Sequence, residues 1–343
     1  METLLFLTHT NQDGSLPKLA LETLATACKL SKEMSATLHV GLFGADVQKA
    51  ADSLGSCGAA CFWAVNGQEF GSSRYGSDSL AMEHLIKASS ATVVLAPATS
   101  RCSRSLPGVA CRVEGRIDTH VCAVECQGES LHVQRWYYRQ RMAATLNRAE
   151  RPWLMLIEPG LAPAWQGQSG KAELKNLQVS LPASHTRTEV TGFETPAADA
   201  QTIRPDADLL FVAGAGWTKK QSDGQPHVAE AEGIIRDFLG NAKASLGSSK
   251  SLVDLSSEGQ AVMTIMSHLN QVGQTGSTPR HPKGLSTCCH GEEPHAIGWR
   301  FINERRAINL DPNCGWAQGK ADVLYVADAF AVMRKVNELL RSA

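Results

Sequence analysis

The first hundred residues alternate between two hydrophobic periods. The runs Leu4–His9, Thr37–Phe43, Phe62–Val65 and Thr92–Ala96 are short and nearly continuously apolar, the pattern of strands buried on both faces. Between them Leu19–Lys32, Asp46–Leu54 and Ser79–Ala88 repeat apolar residues at helical spacing, and Leu106–Val113 follows as a fourth helix. Strand and helix in rotation predict a parallel sheet covered by helices. After Ile117 the rhythm changes. His120–Cys126, Leu131–Tyr137 and Trp153–Glu158 read as strands with no helix between the first two, which predicts an antiparallel extension.

Glu158–Lys175 and Thr195–Arg204 have loop and linker compositions, and the domain boundary is expected near Ala197–Pro205. A second alternation then begins. Asp208–Ala213 reads as a strand, Gly214–Trp217 as a turn and Val228–Lys243 as a helix. Arg306–Asn309 and Val323–Val326 follow as short strands, with Asp328–Arg341 as a closing helix. The fold class is therefore α/β: an N-terminal α/β domain with a mostly parallel sheet over residues 1–196, and a second α/β domain over 205–343.

Composition narrows the function. A length of 343 residues with 43% hydrophobic and 20% charged residues fits about two ordinary domains. The formal charge of -1 gives no pull toward nucleic acid or anionic lipid. Arg135, Arg139, Arg141, Arg148 and Arg151 alternate with Trp136, Tyr137 and Tyr138, and solvated arginines on a strand pair, or a subunit interface, outweigh nucleic-acid binding there. The start of the chain carries no basic leader before its short apolar run, and no stretch approaches the ~18 apolar residues of a membrane span. A cytoplasmic protein without direct membrane insertion is expected. Ten cysteines include no Cys-x-x-Cys pair, and Cys122 and Cys126 are ~13 Å apart if both lie on one strand, so no metal site is assigned.

The candidate chemistry lies in the second half. Gly247-Ser248-Ser249-Lys250 joins a glycine, two hydroxyls and a cation, which suits a pyrophosphate or an electron-rich ring; Ser248 or Ser249 can equally cap a helix starting at Lys250. Val272-Gly273-Gln274-Thr275-Gly276 offers an amide and a hydroxyl on a turn where backbone can approach a flat cofactor. Cys288–His295 places two histidines and two acids in one window, readable as a polar helix entry. Gly214-Ala215-Gly216 follows a strand but lacks the third glycine of a dinucleotide fingerprint. No nucleophile elbow, phosphate-binding P-loop or assignable triad is present.

Taken in order, Gly-Ser-Ser-Lys, Val-Gly-Gln-Thr-Gly, His-Gly-Glu-Glu-Pro-His, Ile-Asn-Leu-Asp-Pro and Ala-Asp-Val-Leu-Tyr-Val-Ala-Asp-Ala-Phe resemble the alpha subunit family of electron transfer flavoproteins across Gly247–Phe330. Ser105–Arg112 and Val133–Leu146 are similar to first-domain segments of that family. The resemblance implies a first domain packing on a beta subunit and a doubly wound second domain holding FAD. By the same resemblance Ser249 and Lys250 sit at the flavin, and Val272, Gly273, Gln274 and Thr275 line it, with Thr275 near N5. His290, Gly291, Glu292, Glu293, Pro294 and His295 cover the ribityl and pyrimidine side, and Asn309 and Asp328 hold the adenosine half. The chain departs from the family pattern at Lys250 and at Gly216 or Trp217, where Arg is usual, at Ser277, where Lys is usual, and over Cys288–His295.

The expected function is that of an electron carrier with no substrate chemistry of its own. It takes electrons from a flavin dehydrogenase and passes them to a membrane quinone reductase or similar acceptor. Two alternatives stand beside it: a flavin-less scaffold subunit of a dehydrogenase complex, and a nicotinamide-dependent oxidoreductase using the Gly214–Gly216 turn.

Overall fold

The computed structural model describes residues 2–128, 130–138, 142–192, 203–204, 207–254, 263–272, 281–287, 302–312 and 321–342. The chain divides into two compact units, Met1–Phe193 and Glu194–Ala343. In the first, β1 (Thr3–His9), α1 (Lys18–Glu33), β2 (Thr37–Gly44), α2 (Gln48–Ser53), β3 (Cys61–Asn66), α3 (Tyr75–Ser89), β4 (Val93–Pro97) and α4 (Ser100–Arg112) follow in rotation. Then come β5 (Arg116–Gln127), β6 (Ser130–Tyr137), β7 (Met142–Leu146), β8 (Trp153–Ile157) and β9 (Leu174–Asn176). They form one sheet in the order β7-β6-β5-β8-β4-β1-β2-β3-β9. The neighbours pair in parallel except across β5–β6 and β6–β7, where the expected antiparallel extension lies.

Period-two alternation along β1 splits the core into two layers. Leu4 and Phe6 join the layer that contains α1 and α2, while Leu5 and Leu7 join that of α3 and α4. The fourth helix begins six residues before the expected Leu106. Thr99 caps it, its hydroxyl accepting from the Cys102 amide at 3.2 Å, and Cys102 is already buried, so the cap overrides a weakly patterned first turn.

Glu158–Lys175 has no helix or strand before β9, as its loop composition predicts, and is tied across the first unit. The Trp165 amide donates to the Leu21 carbonyl, the Gly170 amide to the Asp52 carbonyl and the Ala172 amide to the Asp52 carboxylate, after which β9 pairs with β3. The expected strand pair is present as β6 and β7, but one expectation needs correction: not all arginines of the basic run are solvated. Arg135 and Arg148 converge on the fully buried Asp118 at 3.1 and 2.6 Å, where the Trp153 indole also donates at 2.9 Å, and Arg151 pairs with Glu2. Burial alone would raise the Asp118 carboxyl; the bonds from Arg148, Trp153 and Arg135 outweigh it and hold it below the usual range. A buried carboxylate stripped of such partners costs several kcal/mol, which is why the guanidiniums turn inward.

The second unit contains β10 (Leu209–Ala213), α5 (Val228–Ala242), β11 (Ser245–Ser248), α6 (Lys250–Asp254), β12 (His281–Thr287), β13 (Ile302–Asn309), β14 (Val323–Val326) and α7 (Ala329–Arg341). Its sheet runs β11-β10-β12-β13-β14 with every pairing parallel. In chain order this is 2-1-3-4-5, a doubly wound arrangement. Phe211, Leu246 and Ile308 pack with α5 and α7, and Leu210, Val212, Val272 and Ala307 form a core on the opposite face. Sequence reading missed β12, a central strand, because His281-Pro282-Lys283-Gly284 has little β-propensity. Gly284 is required there: a Cβ would stand 2.6 Å from Ile302 on the neighbouring strand. Among the described residues no helix is long and apolar enough to cross a membrane.

At the carboxyl end of β1 in the first unit, His9 is half-buried. Its Nδ1 lies 3.1 Å from the Thr10 carbonyl, so it donates, and its Nε2 accepts from the Thr99 hydroxyl at 3.1 Å. Burial pushes the imidazole from 6.5 down to about 4, against the partial support of the Thr10 carbonyl. Because the folded value lies below the unfolded one, the stability contributed by neutral His9 is present above pH 6.5 and is lost as pH falls toward 4. At about 1.4 kcal/mol per pH unit that loss is on the order of 3 kcal/mol. Thermal unfolding of wild type and His9→Gln across this window should show a shallower acid loss in the variant; parallel curves would contradict the assignment.

Candidate functional site

In the second unit the chain leaves β10, forms β11 on one side of it, then returns to form β12 on the other. The strand order therefore reverses between β10 and β12. Doubly wound sheets bind ligands in the crevice beyond the carboxyl ends at such a reversal. Backbone bonds carry the ladder just past the strand ends here. The Ser249 amide donates to Ala213 at 2.8 Å, the Gly214 amide to Thr287 at 2.8 Å, and the Val272 amide to Ser248 at 3.0 Å.

The sequence-predicted residues within the described regions all lie along this carboxyl edge. Ser249 and Lys250 follow β11 directly. Ser249 is buried and its hydroxyl accepts from the Leu252 amide at 3.3 Å, capping α6, while Lys250 opens that short helix and is exposed. Val272 is drawn beside them by a parallel bridge between Ser248 and Gln271. Gly247 permits this close approach, since a Cβ on it would meet Val272 Cγ2 at 2.5 Å. Two runs more than twenty residues apart are thus fastened together.

Asn309 ends β13, nearly fully buried, and its amide group donates to the Asp311 carbonyl at 3.1 Å. Asp328 lies between β14 and α7 and caps that helix, accepting from the amides of Phe330 at 3.1 Å and Ala331 at 3.3 Å. Gly216, Asn309, Leu310, Asp328 and Ala329 border one small cleft. Gly273, Gln274, Thr275, His290, Gly291, Glu292, Glu293, Pro294 and His295 lie outside the described residues.

Two residues at this edge were not singled out as site residues from sequence. The Ser248 hydroxyl, noted in the Gly-Ser-Ser-Lys run but not assigned to the cofactor, is fully buried and has no hydrogen-bond partner among the described residues. Trp217 is fully buried in the turn after β10, where sequence reading noted it only as a departure from a family arginine. That turn forms a four-residue 3-10 helix, Ala215–Thr218, and α5 starts only at Val228, so no α-helix opens at Gly216 as a dinucleotide fingerprint requires. Among the described residues no group of three or more His, Cys, Asp or Glu is placed to hold a metal ion.

Comparison with known proteins identifies a family through the first unit. Residues 4–182 match the electron transfer flavoprotein domain family. Over 333 residues the chain is 23% identical to an electron transfer flavoprotein subunit alpha of Thermoanaerobacterium thermosaccharolyticum, an alignment spanning 96% of this chain and 95% of the relative. A subunit of the same name from Clostridium acetobutylicum is 22% identical over 337 residues, covering 96% of this chain and 92% of the relative.

The capping role of Asp328 can be tested by mutation. Asp328→Ala removes the α7 cap and should lower the stability of the second unit by about 1 kcal/mol, while Asp328→Asn or Ser retains most of it. Urea denaturation followed by a signal from the second unit reads this difference; equal loss in all three variants would mean the cap contributes little.

Proposed function

Because the chain belongs to the electron transfer flavoprotein domain family, we propose that it is the FAD-bearing alpha subunit of a cytoplasmic electron transfer flavoprotein, paired with a beta subunit. It receives electrons from a flavin dehydrogenase and delivers them to a membrane quinone reductase or similar acceptor. The observation that carries this reading is the convergence of Ser249, Lys250, Val272, Asn309 and Asp328, from four separate stretches of sequence, on the carboxyl edge of one doubly wound sheet. The near full-length similarity to two alpha subunits supports it.

The residues present fit a flat phosphorylated cofactor. The orphaned Ser248 hydroxyl, the glycine that lets residue 272 close on β11 and the cleft beside Asn309 and Asp328 are features such a group uses. When bound, the flavin supplies reversible uptake and release of electrons. This chain's part is to bind it, exclude water and set the field around it. Ser249 and Lys250 are assigned to the flavin, with the Lys250 cation favouring the more negative, reduced state. Val272, Gly273, Gln274 and Thr275 are assigned to its lining, and the Thr275 hydroxyl to a hydrogen bond at N5. His290 to His295 are assigned to the ribityl and pyrimidine side, and the Asn309–Asp328 cleft to the adenosine half. In the first unit we propose the strand-rich β5–β7 region, where Tyr138 is 74% and Met142 51% exposed, as part of the face for the beta subunit.

Colour tests the reading. Co-purified with its beta partner, the protein should be yellow, carry one releasable FAD and bleach on reduction. A colourless, well-folded heterodimer overturns it in favour of a flavin-less scaffold. Within a yellow heterodimer, Lys250→Ala should lower the flavin potential without loss of fold, since each 1.4 kcal/mol or so of lost preference for the reduced state is a decade in its equilibrium. Lys250→Arg should stay close to wild type. Potentiometric titration checks both, and an unchanged potential in Lys250→Ala removes Lys250 from the site.

A further inference from the structure

We infer that Trp217 is a positioning residue that locks the two sides of the cofactor crevice to each other, an inference that rests on the flavin-site reading above. The indole sits in the turn after β10 and is fully buried. Its Nε1–H donates to the Thr287 hydroxyl at 2.8 Å, and that hydroxyl in turn donates to the Val212 carbonyl at 3.3 Å. The backbone at the same point is closed by the Gly214 amide donating to the Thr287 carbonyl at 2.8 Å. On its other side the Trp217 ring lies 4.6 Å from the Phe330 ring, in the first turn of α7, and the Phe330 amide is held by the Asp328 carboxylate at 3.1 Å.

One side chain therefore touches the end of β12, at the strand-order reversal, and the start of α7, beside the Asn309–Asp328 cleft. An indole N–H inside a core needs an acceptor, and Thr287 supplies it. The Thr287 hydroxyl accepts from Trp217 and donates to Val212, so its rotation is fixed and β10 and β12 are joined through side chains as well as backbone. The aromatic contact then ties α7 to that pair. A change at Trp217 should be felt at both places although they lie in different elements.

The test uses the heterodimer with wild-type chain, Trp217→Phe, Thr287→Val and the double variant. Phenylalanine keeps an aromatic ring against Phe330 and removes only the donor; valine removes the acceptor; the double variant removes both and leaves no orphaned indole N–H. Hydrogen exchange on flavin-depleted protein is read at Ser286–Thr287 and at Phe330–Ala331, and FAD affinity and potential on reconstituted protein. Trp217→Phe should speed exchange at both segments and weaken FAD at least five-fold. The double variant should regain thermal stability relative to Thr287→Val while keeping the weakened affinity, a non-additive pattern expected of one shared interaction. If the variants lose stability but bind FAD with wild-type affinity and potential, Trp217 is core filling and the inference fails. Faster exchange at only one segment also overturns it. A wild-type heterodimer that takes up no flavin overturns the flavin-site reading instead, and the cofactor part of this inference with it.

Discussion

The second unit depends on a parallel ladder that does not stop where its strands stop. Three backbone bonds past the regular pairing, from Ser249 to Ala213, from Gly214 to Thr287 and from Val272 to Ser248, hold the ends of β11, β10 and β12 in register. Parallel strands end together on one edge, so their outgoing segments meet there by topology. The ladder bonds turn that meeting into a fixed arrangement. Gly247 is the steric condition for it, since any side chain at that position would push the segment carrying Val272 away from β11.

The first unit has a comparable reversal, between β1 and β4, and treats it differently. There His9 bridges to Thr99, which caps α4. Arg101, from the first turn of α4, is buried; it pairs with the fully buried Asp78, donates to the carbonyls of Phe70, Gly71 and Ser72, and stacks over Phe43. Two sheets of related winding thus differ in the side chains gathered at the same architectural point. In the first, His9 pairs with Thr99 and Arg101 with Asp78; in the second, the buried Ser248 hydroxyl has no hydrogen-bond partner among the described residues.

How much could be read from sequence depended on whether the cause was local. β1 to β4 were legible because strands buried on both faces must be continuously apolar, and α1 and α3 because each buries a single stripe. β12 was not, because a central strand containing Pro282 and Gly284 exists only through its neighbours β10 and β13. In the basic run the strand pair was legible, but the inward turn of Arg135 and Arg148 was not, for a similar reason: their partner, Asp118, precedes them by 17 and 30 residues. At the site, the Gly-Ser-Ser-Lys run was noticeable because close backbone approach restricts residue choice locally. Trp217 and Thr287 are separated by 70 residues, and no spacing rule links an indole to a hydroxyl at that range.

Shifted acids and bases do not mark the candidate site. The groups displaced furthest among the described residues are His9, to about 4, Cys28, to about 11, and Cys102, to about 12, each with burial as the leading cause and each in the first unit. Such displacements often mark catalysis because an enzyme must match a proton donor or acceptor to its reaction. An electron carrier has no such requirement. It needs a fixed surround whose hydrogen-bonding groups and charge distinguish two oxidation states, and hydroxyls, backbone amides and one exposed cation can supply that without titrating. The second unit offers such groups at its carboxyl edge, held by backbone register more than by ionic chemistry. Glycine spacing and strand order therefore point to the candidate site more than catalytic signatures do.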